Sequence, residues 1–466
     1  MNQSVAAALA DAQPVPYWLD SPERPDPAPP LAGAHTADLV VVGAGLTGLW
    51  TALLAKEAEP DRDVLLVDAR TAGWAASGRN GGFCAASLTH GLDNGLARFP
   101  ADMPELERLG ARNLDAIEKA IADNGISCGF ERTGELEVAT EAHQIEWLHE
   151  RVANARRFGH HAQLLDEAGA RAQLNSPTYL GAAWHRDRVA LVDPARLAWG
   201  LLRACRARGV RVAENTEVET LRRAGAGIRL GTRAATITAA KVVLASNAFP
   251  GMLRRMRPYT VPVYDYVLVT EPLNAGQRAA LGWANRQGVG DVTNQFHYYR
   301  LTPDDRILWG GYDAVYHWRN GLRDELDQRP ATFTKLATHF FTTFPQLRGL
   351  RFTHKWGGAI DTSTRFFAFQ RTALRGRVAY SIGYTGLGVG ASRFGAQVML
   401  DLLDGRDDPA LRLAALRTRP LPFPPEPLRW ASIEMTRRAL ARADRRAGKR
   451  GAWLRLLDRA GMGFDS

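Results

Sequence analysis

The sequence predicts an α/β protein of two domains, one built on a parallel sheet that the chain enters several times, the other on a large antiparallel sheet. Three observations carry that expectation. Residues Asp38 to Asp68 read strand, Gly-rich turn, helix and strand in succession. The apolar strand Lys241 to Ala245 (KVVLA) returns only after a long excursion of helices and hairpins, which implies a discontinuous first domain. Val261 to Leu273, Gln295 to Leu301 and Ile307 to Gly311 carry period-2 alternation, as antiparallel strands with one buried face do. The length of 466 residues is itself long for a single core.

Residues 1 to 33 read as a lead-in arm. Five prolines between Pro22 and Pro30 forbid helix and favour an extended path. The Tyr17-Trp18-Leu19 cluster is either an anchor packed on the body or a functional aromatic patch. The apolar run Leu39 to Val42 then stops at Gly43-Ala44-Gly45-Leu46-Thr47-Gly48 and passes into a helical pattern. Gly43 permits the tight turn, Gly45 lets a diphosphate approach bare backbone, and Gly48 lets helix and strand pack closely. The next strand, Val64 to Val67, ends in Asp68, 20 positions after Gly48, where a carboxylate can accept from both ribose hydroxyls. With strand, helix, second strand and acid in register, this is a dinucleotide site; a coincidental Gly-rich turn is the alternative.

Thr71 to Leu92 follows, with Gly73, Gly78, Gly81 and Gly82 set among Ser77, Arg79 and Asn80. Such a stretch suits a loop pressed against a flat ligand, and equally a long surface turn. Residues 104 to 123 and 141 to 173 carry helical periodicity, with a strand at 134 to 140 between them. Asp193-Pro194 starts an amphipathic helix that runs to Gly209. Short strands and hairpins lead to KVVLA and the Ser246-Asn247-Ala248 turn. The alternating strands carry Tyr264, Tyr266, His297, Tyr299 and Trp309, and a helical stretch at 322 to 344 stops before Pro345. After His354 to Asp361 and the strand Val378 to Ile382, a second Gly-rich junction, Gly383 to Ser392, opens into a helix expected from Arg393 to Leu403. A second junction implies that the other half of a long dinucleotide is also held by backbone, with a helix N-terminus aimed at an electron-rich ring edge.

Composition sets further bounds. No apolar run approaches the roughly 20 residues that span a bilayer, and the N-terminus lacks the features of a secretory signal. Three widely separated cysteines, Cys84, Cys128 and Cys205, argue against a disulfide framework and for a reducing, cytoplasmic address. The net charge of +10 is concentrated: residues 437 to 459 contribute +7, so the body is not a basic, nucleic-acid-binding protein. The tail, Pro422 to Ser466, reads as a solvated or inter-subunit helix, or as a peripheral membrane contact, since Trp453, Leu454, Leu456 and Leu457 stand beside arginines.

VVVGAGLTGL with Asp68, AASGRNGG at 75 to 82, YYRLTPDDRILWGG at 298 to 311, KWGGAID at 355 to 361 and GYTGLGVGAS at 383 to 392 together resemble the flavin-dependent amine oxidases of the D-amino-acid-oxidase-like superfamily, in particular the gamma-glutamylputrescine oxidase branch. The likeness covers roughly residues 15 to 405. It implies a glutathione-reductase-like FAD-binding Rossmann domain (34–105, 190–255 and 354–405), an α+β substrate domain (106–189 and 256–353), the arm 1–33 and a basic extension 406–466. FAD would be held by Gly43, Gly45, Leu46, Thr47, Gly48, Asp68 and Ala69, by Ser77, Gly78, Arg79, Asn80, Gly81 and Gly82, by Val218, Asn247 and Gly358, and by Gly386, Leu387, Gly388 and Val389. No metal is implied. The segment Gly358 to Thr364 lacks the cysteine that tethers flavin in the sarcosine-oxidase branch, so FAD is expected to be non-covalent. Leu387 to Ser392 lacks that branch's carboxylate-binding lysine, which favours amines, polyamine derivatives or aminophosphonates over amino acids unless Arg300 or another arginine replaces the clamp.

The expected reaction is FAD-dependent oxidation of a primary or secondary amine to an imine, with reoxidation by oxygen. The alternative is a dehydrogenase of the same fold acting on an amino acid or aminophosphonate with another electron acceptor. His297, Tyr299, Arg300 and Tyr264 are the catalytic candidates, on the sheet expected to face the flavin. For His297 a structural role, and for Arg79 and Arg300 a structural ion pair, stand as the other readings; Cys84 reads as packing. A nicotinamide dehydrogenase shares the first fingerprint but has no use for GRNGG or the second junction. A non-enzymatic, polyanion-binding protein would use only the tail.

Overall fold

The computed structural model describes residues 3–249 and 252–463. Its first sheet has eight strands around Gly33–Val42, which lies parallel to Val64–Val67 on one side and to Ala235–Leu244 on the other. Arg211–Ala213 and Val378–Ile382 extend the parallel array, and Phe369–Ala373 closes one edge antiparallel. Leu39, Val40 and Val41 have no exposed surface, as expected of a central parallel strand covered on both faces. The helix Leu46–Ala58 is buried around most of its girth because Pro194–Ala207 and Gly388–Asp404 pack against it. Asp193 caps Pro194–Ala207, accepting from the Arg196 N–H at 2.9 Å.

The second sheet has nine strands in the order Val315–Tyr316, Thr260–Thr270, Ile307–Gly311, His297–Leu301, Gly288–Asp291, Glu135–Ala139, Gly181–His185 and Ala162–Asp166, with Phe352–Ser363 paired on Thr260–Thr270 along its length. All its pairings are antiparallel except Gly288–Asp291 with Glu135–Ala139. One face packs on the helix Pro330–Thr343, whose Phe333, Leu336, Ala337 and Phe340 are buried against it. The other face looks toward the parallel sheet across a large cavity.

Three elements differ from expectation, the first being the stretch 322 to 344, where Asp324–Asp327 is a 3-10 turn and the α-helix is Pro330–Thr343. The stretch 141 to 173 is two helices, Gln144–Arg157 and Glu167–Gln173, separated by the edge strand Ala162–Asp166. The last Rossmann-side helix starts at Gly388 rather than Arg393, so the glycines of the late junction form its first turn. A Cβ at Gly390 would stand 2.1 Å from the Ala85 carbonyl oxygen; that glycine serves close packing rather than loop conformation. The extension carries the short helices Pro409–Arg412 and Ala414–Arg417 and the longer ones Leu428–Asp444 and Ala452–Arg459. Among the described residues no helix is long and apolar enough to cross a membrane.

Candidate active site

The two Gly-rich junctions meet at one cavity of about 860 Å³. At the first, Gly43 turns with φ +106°, and a Cβ there would meet the Ala245 carbonyl oxygen at 2.6 Å. A Cβ at Gly48 would lie 1.8 Å from the Gly43 carbonyl oxygen, so strand and helix approach as only glycine permits. Gly45 is the extended N-cap of Leu46–Ala58, and the Leu46 N–H donates to Ser77 Oγ at 2.9 Å. The Asp68 carboxylate accepts from the Ala44 N–H at 2.6 Å and the Arg70 N–H at 2.8 Å. Burial raises its pKa. Ala69 is exposed beside it, and Val218 begins a hairpin on the same edge, where the Thr216 N–H donates to the Asp68 carbonyl at 2.7 Å.

The SGRNGG segment is a braced loop. The Asn80 side chain accepts from the Gly82 N–H at 2.8 Å and donates to the carbonyls of Ala76 and Ser77 at 2.8 and 3.1 Å. Two indoles hold its outer carbonyls: Trp18 Nε1 donates to Asn80 O and Trp356 Nε1 to Arg79 O, each at 2.9 Å. Trp18 is therefore an anchor of the arm on this loop. Arg79 is paired with Asp327 at 2.5 Å and donates to the Gly357 carbonyl at 3.2 Å, while a Cβ at Gly358 would touch its Cδ at 3.0 Å. Gly78 and Gly82 face carbonyls, those of Gly73 and Val192, too closely for any Cβ.

The late junction is clamped by Asp361. Its carboxylate accepts from the Gly383 N–H and, at 3.2 Å, from the Tyr384 N–H. Burial nonetheless pushes Asp361 up to about 7. The Tyr384 hydroxyl accepts from Ser381 Oγ at 2.7 Å and from Thr47 Oγ1 at 3.1 Å, which ties the second junction to the first. Gly386 turns at φ +91° with no atom within 4 Å of a Cβ position, and Leu387, Gly388 and Val389 carry the helix N-terminus to the cavity. Asn247, at φ +50°, lies on the same wall.

Leu46, Thr47, Ser77, Arg79, Asn80, Gly81, Asn247, Gly358 and Gly386 to Val389 thus share the cavity. Gly43, Gly45, Gly48, Asp68, Ala69, Gly78, Gly82 and Val218 lie outside its lining, supporting the loops or continuing the first junction toward the sheet edge.

The catalytic candidates divide between the cavity side and the far face of the antiparallel sheet. His297 and Tyr299 point to the far face of the antiparallel sheet. Tyr299 shares a 2.5 Å hydrogen bond with the buried Tyr179 hydroxyl. His297 Nδ1 bonds Asp291 at 2.7 Å, Nε2 meets His339 Nδ1 at 2.9 Å, and the ring lies between Trp309 and Tyr312. Tyr264, 2% exposed, stacks on Tyr266 and also borders the cavity. Arg300 is on the cavity side of the sheet but beneath the loop, donating to the carbonyls of Val192 at 2.7 Å and Gly82 at 3.4 Å. Burial lowers its pKa to about 10.

The residues the alternation presents to the cavity are their neighbours, Asp265 and Tyr298. The Tyr298 hydroxyl donates to Asp265 Oδ2 at 2.5 Å. Its ring is wedged between Gly81 and Gly310, where a Cβ would come within 2.6 and 2.5 Å. Burial raises the Asp265 carboxyl to about 6. Two glycines make room for the Tyr298 ring, Gly310 in its neighbouring strand and Gly81 in the SGRNGG loop. Farther along, Glu135 also lines the cavity, raised by burial to about 7, beside Glu137, which burial would raise but Arg151 and His185 draw down to about 2.

This arrangement fits a long dinucleotide carrying a flat ring. Two helix N-termini, reached across glycines without room for side chains, are a donor set for phosphates and a polar ring edge, and the Asp68 carboxylate is an acceptor suited to ribose hydroxyls. No cysteine is among the described residues lining the cavity, so the set offers no thioether tether.

A family model described as FAD dependent oxidoreductase (DAO) matches residues 38–402. The gamma-glutamylputrescine oxidoreductase of Escherichia coli (strain K12) is 32% identical over 416 residues, 88% of this chain and 92% of that protein. Among solved structures, glycine oxidase from Geobacillus kaustophilus superposes with a TM-score of 0.67 at 20% identity, over 80% of this chain and 96% of that one. L-proline dehydrogenase from P. horikoshii gives the same TM-score at 18% identity, over 82% of this chain and 96% of that one. These two likenesses speak for the fold.

Proposed function

Because this chain belongs to the DAO family of FAD-dependent oxidoreductases, we propose that it oxidises a primary or secondary amine to the imine, with non-covalent FAD and with oxygen as final acceptor. The observation that carries the reading is the Asp265–Tyr298 pair on the cavity wall beside the flavin loop. Bound FAD supplies the two-electron acceptor; the residues here have to deliver a neutral, oriented amine. Asp265, ionised above about pH 6, accepts a proton from the incoming ammonium. Tyr298 donates to the same carboxylate and holds it toward the cavity. The aromatic and aliphatic walls exclude water.

The substrate class is an amine rather than an α-amino acid. Arg300 spends its donors on the carbonyls of Gly82 and Val192 and does not line the cavity, and the arginines that do line it are each tied to a carboxylate, Arg79 to Asp327, Arg151 to Glu137, Arg188 to Glu107, Arg437 to Glu434 and Arg450 to Asp458. A polyamine-derived amine agrees with the name of the 32% identical relative. Anaerobic mixing with amines, amino acids and aminophosphonates is the test: an amine bleaches the flavin absorbance, and oxygen uptake then follows in air. Bleaching by amino acids or aminophosphonates alone, without oxygen uptake, would favour the dehydrogenase alternative.

We assign residues 34–105, 190–255 and 354–405 to the cofactor domain and 106–189 with 256–353 to the substrate domain, supported by the membership of the two sheets apart from the Phe352–Ser363 strand, which pairs in the antiparallel one. Three free, buried cysteines support a reducing, cytoplasmic address. A peripheral membrane contact of the extension would rest on its outer side, where Leu428, Trp430, Met435 and Leu456 are exposed, whereas Trp453, Leu454 and Leu457 turn to the cavity. Sedimentation with anionic vesicles separates the two uses, since the contact requires binding that salt weakens.

A further inference from the structure

The family match ends at residue 402, yet the cavity continues onto residues far beyond it. Phe423, Ile433, Leu440, Trp453, Leu457 and Met462, all from the extension, line the same cavity as the flavin loop and the late junction. The extension is fastened across the opening at several points. Asp444 accepts from the N–H groups of Asn294 and Gln295 at 3.0 and 3.2 Å and from Asn294 Nδ2 at 2.6 Å. Glu426 accepts from the Tyr316 hydroxyl at 2.6 Å, and Arg98 donates to the Gly463 carbonyl at 2.6 Å. The Phe423 N–H donates to the Pro258 carbonyl at 2.7 Å.

The polar side chains that the extension contributes to the lining are engaged within the extension itself. Arg437 pairs with Glu434 at 2.8 Å and Arg450 with Asp458 at 2.6 Å. Ser432 Oγ donates to the Arg429 carbonyl at 3.0 Å, and Thr436 accepts from Trp453 Nε1 at 3.0 Å. Beside these paired groups the segment presents a ligand with the apolar side chains of Ile433, Leu440, Trp453 and Leu457, while the sheet wall offers Asp265 and Tyr298 to a nitrogen.

We propose that the C-terminal extension is the specificity wall of the amine site, and that the substrate is an amine carrying an apolar body of several carbons, its nitrogen toward Asp265 and its body against Ile433, Leu440, Trp453 and Leu457. The inference rests on the amine-oxidising function proposed above and adds the class of amine. A small amine leaves this wall unused. A longer alkyl or aryl amine gains from it, by about tenfold or more for each well-packed methylene.

The test is steady-state and anaerobic flavin-reduction kinetics on the flavin-loaded enzyme with n-alkylamines of increasing length and with aralkylamines. For the wild type, kcat/KM rises with apolar size. In Leu457→Ala and Leu440→Ala, kcat/KM for the longest amine falls about tenfold or more, mainly through KM, while the shortest amine stays within about twofold. Flavin content and melting temperature identify a variant that has lost its fold, and the second variant then carries the comparison. An unchanged size dependence in a flavin-loaded variant overturns the inference and leaves the oxidase reading intact. Wild-type flavin that no amine reduces sinks the oxidase reading itself, and this inference with it.

Discussion

Asp265 and Tyr298 show how much a single position decides in a β-strand. Successive side chains point to opposite faces, so His297 and Tyr299 turn to the aromatic side of the sheet while Tyr298 enters the cavity, which Tyr264 and Asp265 both border. The alternation of these strands was legible in sequence; its phase was not, because both faces carry aromatics and the helix Pro330–Thr343 takes one of them only in three dimensions. Asp265→Asn is expected to retain FAD and to slow flavin reduction by about 10²- to 10⁴-fold at pH 7, measured by stopped flow. The sign of the pH dependence follows from the raised carboxyl: the proton-accepting form grows as pH rises through about 6. In Tyr298→Phe the hydrogen bond that lowers the Asp265 pKa is gone, so the acidic limb of the reduction rate moves to higher pH. A limb that stays put in Tyr298→Phe would remove Asp265 as its source.

Between elements, the site depends on contacts that admit no side chain. The strand Phe83–Ala85 lies against the helix Gly388–Asp404 through Gly390, and both segments border the cavity. Gly390→Ala forces them apart at an expected cost of about 1–3 kcal/mol; the purified protein should carry substoichiometric FAD and melt several degrees lower, as absorbance and calorimetry will record. Asp361 is the other inter-element tie, joining the strand Phe352–Ser363 to the Gly383 turn. Removing its carboxylate in Asp361→Ala leaves two buried N–H groups without an acceptor, a loss of about 1–3 kcal/mol for each. Weaker FAD binding is expected, measured by equilibrium dialysis. The glycines were visible in sequence, and those of the first junction revealed their purpose by spacing. Gly390 did not, since its partner carbonyl at Ala85 comes from a segment some 300 residues away.

At the scale of the whole molecule, the cavity is shared by the parallel sheet's Gly-rich turns, one face of the antiparallel sheet and the extension. Burial extends to all three thiols: Cys84, Cys128 and Cys205 are at most 1% exposed, and burial pushes each up to about 12. Native enzyme should therefore resist a thiol reagent at pH 8, whereas unfolding in denaturant releases all three equivalents, counted colorimetrically. A fast equivalent in the native state would place one cysteine at a mobile or open site.

The sequence by itself determined the cofactor end of this protein. Phosphate binding through a strand-to-helix turn is a local device, so Gly43 to Gly48, Asp68 and the late Gly383 to Ser392 junction declare it in contiguous residues. Only the tertiary structure decided the amine end. Which face of a strand borders the cavity, whether Arg300 lines it or braces a loop, and which apolar side chains of Ala452–Arg459 line it depend on partners distant in the chain. Side-chain direction is set by what packs against the other face, and no run of neighbouring residues encodes that.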